Sequence, residues 1–350
     1  MSVQERLQHL MAELPDSDLV VAARLLRGLQ LTQRKERLMG NPGTFGFTGI
    51  FASLWISSLI LSLTPTLAAD TAPVMTGSPA GNLLVGGSGR VMILSPEGKV
   101  LWEQKAGLVH DAWMLPNGNV LYADSSVTEV TPDHKVVFHF QPEVGEGGGA
   151  YACQRLENGN TLIGENSTGR VLEVDPAGKI VFKLDVQPSK QGSHENMRMA
   201  RKLKNGNYLV CQKGYKVVRE YTPAGVMVSE FPLTNIAFAA FRTPQNTTFI
   251  SSLDHVTEYD AGGKKVWELA NTDIPNVVIT NMTGMQLLPN GSLVIGCYAA
   301  YHGKEGTGLF EVTRDKKLVW RYADPGADGS LMAVECLDKN NKPVFDPALR

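Results

Sequence analysis

Three observations predict an all-β fold, a six-bladed β-propeller with four-stranded blades. The first is a recurring strand, Asn-Gly turn and β-branched run: MLPNGNVLYA (114–123), RLENGNTLIG (155–164), KLKNGNYLVC (202–211) and LLPNGSLVIG (287–296), with RTPQNTTFIS (242–251) as a degenerate copy. Asn-Gly supplies the positive φ angles that a two-residue hairpin needs. The second is a later hairpin: LSPEGKVLWE, VTPDHKVVFH, VDPAGKIVFK, YTPAGVMVSE, YDAGGKKVWE and VTRDKKLVWR, turning at Gly98, His134, Gly178, Gly225, Gly263 and Lys316. Six copies at a period of roughly 40 residues, with two hairpins in each, make four strands per unit. The third is composition: 35 glycines and 19 prolines imply many turns, while 43% hydrophobic and 19% charged residues read as globular.

Taken in chain order, residues 1–38 read as a helical extension. Leu7, Leu10, Met11 and Leu14 fall at helical spacing, and Asp16 suits the N-cap of a second helix. They form either a cytoplasmic tail or an overlong gene start, the true start then being Met39. Residues 39–69 read as an export segment. No charge occurs from Asn41 to Ala69, Arg34, Lys35 and Arg37 precede the apolar run, and Pro65 ends it. The small residues of TPTLAAD suit cleavage after Ala68 or Ala69; an uncleaved membrane anchor through residues 45–64 is the alternative. Residues 70–350, the propeller, are therefore expected to be extracytoplasmic, periplasmic or secreted.

The first repeat begins at PAGNLLVGG with no firm innermost strand before it, and the chain closes with SLMAVECLDKNNK, an innermost strand and turn with little after it. The C-terminal strand is thus expected to complete the blade begun by residues 81–104 and to close the ring, removing two exposed edges. A strand from Ala72 to Gly77 competes for that place. The net charge of -2, without a basic stripe, excludes nucleic acid as a partner. Cys153, Cys211, Cys297 and Cys336 form no CxxC and read as small buried strand residues, ahead of disulfides.

GRVMILSPEGKVLWE, echoed by TEYDAGGKKVWEL and FEVTRDKKLVW, resembles the repeat of pyrroloquinoline-quinone-type propellers across residues 81–338. The resemblance implies that Trp102, Trp267 and Trp320, with Phe138 and Phe182 as substitutes, dock each outer strand on the neighbouring blade. Those quinone enzymes usually have eight blades and a calcium site, neither visible here, so a quinone is not expected; a divalent metal stays open. HDAWMLPNGN (110–119) and HENMRMARKLKNGN (194–207) are similar to the blade openings of the six-bladed bacterial arylsulfate sulfotransferases, in which a histidine accepts sulfate transiently. Gln212 and Lys213 stand where that group has an arginine, and Asn281 where a further channel histidine falls.

Functional groups in a propeller come from blade openings and second-strand ends. Aligned on their turns, His110, Tyr151, Arg198, Phe238 and Thr283 share one position, and Asn196 aligns with Asn281. His194, His110 and Arg198 are the catalytic candidates. Asp111, Tyr151, Glu165, Glu195, Asn196, Lys213, Asn281 and Tyr298 are the ligand-binding candidates. Alternation puts Glu195 opposite His194, where it is expected to pair with Arg201. The function expected is an exported propeller that binds a polar or anionic ligand, of sugar or sulfate-ester type, or another exported protein at the channel mouth. Two alternatives stand beside it: an arylsulfotransferase-like enzyme with a histidine nucleophile, and a metal-dependent lactonase-like hydrolase using Glu165, Asn196 and Asp254.

Overall fold

The computed structural model describes residues 73–143, 148–190, 192–299, 306–323, 330–344 and 350. The helical extension and export segment expected over 1–38 and 39–69 lie outside the described residues, as does His302. Among the described residues there is no α-helix, and no helix long and apolar enough to cross a membrane.

The chain opens with β1 (Val74–Thr76), β2 (Leu83–Leu94) and β3 (Val100–Leu108). Four antiparallel sheets of four strands follow. They are β4 (Asp111–Met114), β5 (Val120–Ala123), β6 (Val127–Val130) and β7 (Val136–Phe140); then β8 (Ala150–Arg155), β9 (Thr161–Glu165), β10 (Arg170–Val174) and β11 (Ile180–Asp185); then β12 (Met199–Lys202), β13 (Tyr208–Gln212), β14 (Val217–Tyr221) and β15 (Met227–Pro232); then β16 (Ala237–Arg242), β17 (Thr248–Ser252), β18 (His255–Tyr259) and β19 (Lys265–Ala270). The remaining strands are β20 (Asn281–Leu287), β21 (Leu293–Tyr298), β22 (Leu309–Val312), β23 (Leu318–Ala323) and β24 (Leu331–Cys336). They form an eight-stranded sheet with β1, β2 and β3, in which a single pair, Cys297 with Leu331, joins β21 to β24.

The burial patterns explain the layering. First and second strands such as β4, β5 and β9 are buried along their whole length, because both faces meet neighbouring sheets. Fourth strands alternate: in β11, Val181, Lys183 and Asp185 are exposed while Phe182 is half-buried and Leu184 buried. The first strands meet in a closed order: β4 lies against β8, β8 against β12, β12 against β16, β16 against β20, β20 against β24, and β24 against β4.

β24 pairs antiparallel with β2, from Leu83 with Cys336 to Gly86 with Ala333, in the position expected for the C-terminal strand. β1, the competitor, instead adds to the outer edge of β23. The same β2 then pairs with β3 from Ser88 onward, so one long strand serves both neighbours. Gly87 permits this, since a Cβ there would lie 2.1 Å from the Ser330 carbonyl oxygen.

The turn residues hold positive φ as expected: Gly118, Gly159, Gly206 and Gly291 in the first hairpins, and all six named residues in the second. Their geometry corrects the two-residue expectation. The Gly118 N–H donates to the Leu115 carbonyl and the Leu115 N–H to the Asn119 carbonyl, and Asn117 is not at positive φ. This is a three-residue loop, a turn followed by one left-handed residue, with the Asn117 side chain accepting from the Asn119 N–H at 3.0 Å. Asn341, at φ 60, occupies the same place after β24.

The docking aromatics behave as the repeat implies. Trp102 donates its Nε1–H to the Pro132 carbonyl of the next sheet at 2.9 Å, and Trp267 to that of Arg314 at 2.9 Å. Phe182 stacks on Tyr208, and Trp320 packs with Met92 and Leu94 of β2. All four cysteines are free thiols, and Cys153, Cys211 and Cys297 are buried.

Candidate functional site

Each first strand enters the closed circle on one side, here the loop face, and leaves by its hairpin on the other, the turn face. The entry residues converge. His110, just before β4, stacks on Tyr151 of β8 with ring centroids 3.8 Å apart. The Arg198 guanidinium, just before β12, lies 5.0 Å from the Tyr151 ring and 5.5 Å from the Phe238 ring of β16. Four of the five residues that share one place in the repeat thus form a continuous stack. Thr283 leaves the series, its hydroxyl donating to the Gly296 carbonyl at 2.9 Å.

His194 completes the group from a 3₁₀ turn (Ser193–Glu195). Arg198 Nη2 donates to His194 Nε2 at 3.1 Å, and Tyr151 Oη lies 3.1 Å from His194 Nδ1. A guanidinium can only donate, so Nε2 is the acceptor; Nδ1 therefore carries the proton and donates to Tyr151. Burial drives His110 down to about 3, helped by the charge of the nearby Arg198, so its imidazole is neutral. Its Nδ1 is buried without a hydrogen-bond partner. Burial also lowers Arg198 and raises Tyr151. Among the described residues Arg198 enters no ion pair, and its Nε has no partner.

The other candidates fall in different places. Glu195 pairs with Lys213, not with Arg201; the 3₁₀ turn delays the strand until Met199, so strand alternation does not apply at Glu195. Asn196 is 3% exposed and ties the backbone together, accepting from the Ser189 N–H at 2.7 Å and donating to the Asn166 carbonyl at 2.9 Å. Glu165 accepts from the Glu143 N–H at 2.7 Å, from Arg170 Nε at 2.5 Å and from Thr168. Asn281 donates to the Tyr298 carbonyl at 3.1 Å, and Tyr298 is 40% exposed near the stack. Asp254 is held by His255 at 2.7 Å. The oxygens proposed for a metal thus face other partners. Among the described residues no group of three or more His, Cys, Asp or Glu is placed to hold a metal ion.

Asp111 points away from the stack into the circle, and sequence reasoning missed what it meets there. It takes both terminal nitrogens of Arg201, at 2.7 and 3.0 Å, and the Cys153 N–H at 3.0 Å. Arg350 lies beside them. The 90-residue separation of Asp111 and Arg201 leaves no local signal that could have paired them.

The sequence matches no family model and no curated protein. Among solved structures it is similar to a protein of unknown function from Bacteroides caccae (22% identity, TM-score 0.65, covering 73% of this chain and 98% of that one). It is also similar to a streptogramin B lyase (10%, 0.53, 77% and 93%) and to the WD40 β-propeller domain of Doa1 (12%, 0.50, 77% and 90%). The fold is β-propeller-like. At these identities the likeness concerns the fold alone, so the stacked residues at the propeller's loop face must carry the reading of function.

Proposed function

We propose that this chain is an extracytoplasmic six-bladed propeller that binds a small anionic ligand, of sulfate-ester or acidic-sugar type, at the loop-face mouth of its channel. Six blades are supported by the closed order of six first strands, β24 among them. Counting back eight residues from the positive-φ turn residues gives His110, Tyr151, Arg198, Phe238, Thr283 and, from Asn341, Ala333. The extracytoplasmic location rests on the uncharged, apolar run within residues 41–69.

The observation that carries the binding reading is Arg198. Its guanidinium is partly buried, stacked between two aromatic rings and hydrogen-bonded to a neutral imidazole; among the described residues it makes no ion pair, and the Glu195 carboxylate that helps hold its charge is itself committed to Lys213. An incoming anion supplies the direct ion pair that the guanidinium lacks and accepts from its free N–H groups. Lys213, held by Glu195, adds a second cation nearby. Calorimetric titration with inorganic sulfate and with an aryl sulfate tests this. Arg198→Ala should weaken binding at least tenfold while thermal unfolding stays cooperative; unchanged affinity would overturn the assignment.

One observation favours a second reading, histidine-dependent group transfer. His110 is a neutral imidazole whose Nδ1 has no partner, whereas the His194 Nε2 lone pair is occupied by Arg198. Intact-mass measurement after incubation with an activated aryl sulfate separates the two: a sulfated histidine supports transfer, and binding without adduct or turnover supports recognition alone.

A further inference from the structure

Below the stack the circle is filled by charge. Arg350 is 4% exposed, and its guanidinium carbon lies 4.0 Å from the Trp113 ring centre. Nη1 reaches Glu335 Oε2 at 3.0 Å and the Val334 carbonyl at 3.3 Å. Nη2 donates to the Ala112 carbonyl and lies 3.8 Å from Asp111 Oδ1. Arg201 packs on the same ring at 4.9 Å and donates its Nε–H to the Arg350 carbonyl at 2.9 Å. A small cavity of about 10 Å³ lies beside them, lined by His110, Asp111, Arg201, Val334 and Arg350 among others. On the turn face, a cavity of about 210 Å³ is walled by the same Arg201 with Gln154, Phe241 and Arg242.

We propose that Trp113, Glu335, Asp111 and the Ala112 and Val334 carbonyls form a guanidinium-recognition site, filled in this chain by Arg350 and exchangeable for a guanidino group entering from the turn face. An aromatic platform, carboxylates and two backbone carbonyls match a planar fork of donors and do not suit a point-charge ammonium. The resident fits incompletely. Its Nε is buried without a partner, and Asp111, already satisfied by Arg201, stays beyond hydrogen-bonding distance. An unpaired donor inside an otherwise matched site favours a ligand that can seat itself better. The inference does not depend on the anion site above it.

Methylguanidinium is the probe. Added to Arg350→Ala, it should bind one to one and raise the melting temperature, with methylammonium at least tenfold weaker and sodium chloride without effect. Equal responses to all three would overturn the site. If Arg350→Ala does not fold unaided, refolding in methylguanidinium but not methylammonium gives the same decision. In the wild-type protein, the Arg350 Nε–H resonance should shift towards its solvent-exposed position as methylguanidinium is added. A resonance unmoved through tens of millimolar would overturn exchange.

Discussion

His110 shows how one position in a repeat acquires chemistry. The turn fixes where the first strand enters, and only the residue type at that entry differs from sheet to sheet. Buried against Tyr151 and facing Arg198, the imidazole cannot take a proton until about pH 3. Its folded pKa lies below the unfolded value, so the unfolded chain binds the extra proton first. The stabilisation is therefore complete above about pH 6.5 and is lost as pH falls from there towards 3. The slope is about 1.4 kcal/mol per pH unit for one proton. Denaturant unfolding between pH 4 and 7 should show this slope in wild type and a shallower one in His110→Gln; identical slopes would mean that another group titrates. The shared position of His110, Tyr151, Arg198 and Phe238 was legible from the turn alignment alone. Their neighbours were not. Glu195 turned to Lys213 because a 3₁₀ turn precedes β12, and Asn196 went to the backbone, choices made by loop geometry that residue type does not encode.

At the scale of the strand, the repeat hides a second device. Third strands carry Glu129, Glu173 and Glu220, and the next sheet's first strand answers with Arg155 at 2.6 Å, Lys202 at 2.5 Å and Arg242 at 2.9 Å. Each pair clamps neighbouring sheets near the turn face. Glu173 also accepts from the buried Tyr208 hydroxyl at 2.5 Å, so its loss strands a phenol and a partly buried ammonium together. Glu173→Ala should cost about 1–3 kcal/mol in denaturant unfolding, more than Glu230→Ala on the exposed side of β15. The glutamates recur visibly in the sequence, but their partners lie in the following repeat, so single-strand alternation could not join them. Ser229 is the converse case. It stands where the other five repeats carry Trp102, Phe138, Phe182, Trp267 and Trp320, and its hydroxyl is buried with no partner. Removing that unpaired hydroxyl costs nothing that the fold uses. Ser229→Ala should leave stability unchanged or raise it by about 1 kcal/mol, read as a small upward shift in melting temperature.

For the whole molecule the decisive contact is between distant parts of the chain. The turns, the four-stranded units and the pairing of β24 with β2 follow from pattern, because hairpins are local and a sheet lacking its first strand needs one from elsewhere. The charge cluster of Asp111, Arg201, Glu335 and Arg350 does not, since its members meet only after the circle has formed. That difference makes β24 a sharper target than its six residues imply. It covers the Leu83–Gly87 edge of β2, places Glu335 where it accepts from the Met114 N–H at 2.6 Å, and sets Ala333 against Val109 and Ala112 in one core. Ending the chain at Ser330 would leave that edge unpaired and the flanking cores open to water. The truncated protein should therefore lose cooperative thermal unfolding and associate through the exposed strand. Removal of β1, which only adds to the outer edge of β23, should leave a cooperative transition lowered by a few degrees. Calorimetry and sedimentation on the two truncations distinguish these outcomes. A cooperative, monomeric protein without β24 would show that the first and last repeats do not depend on their mutual closure.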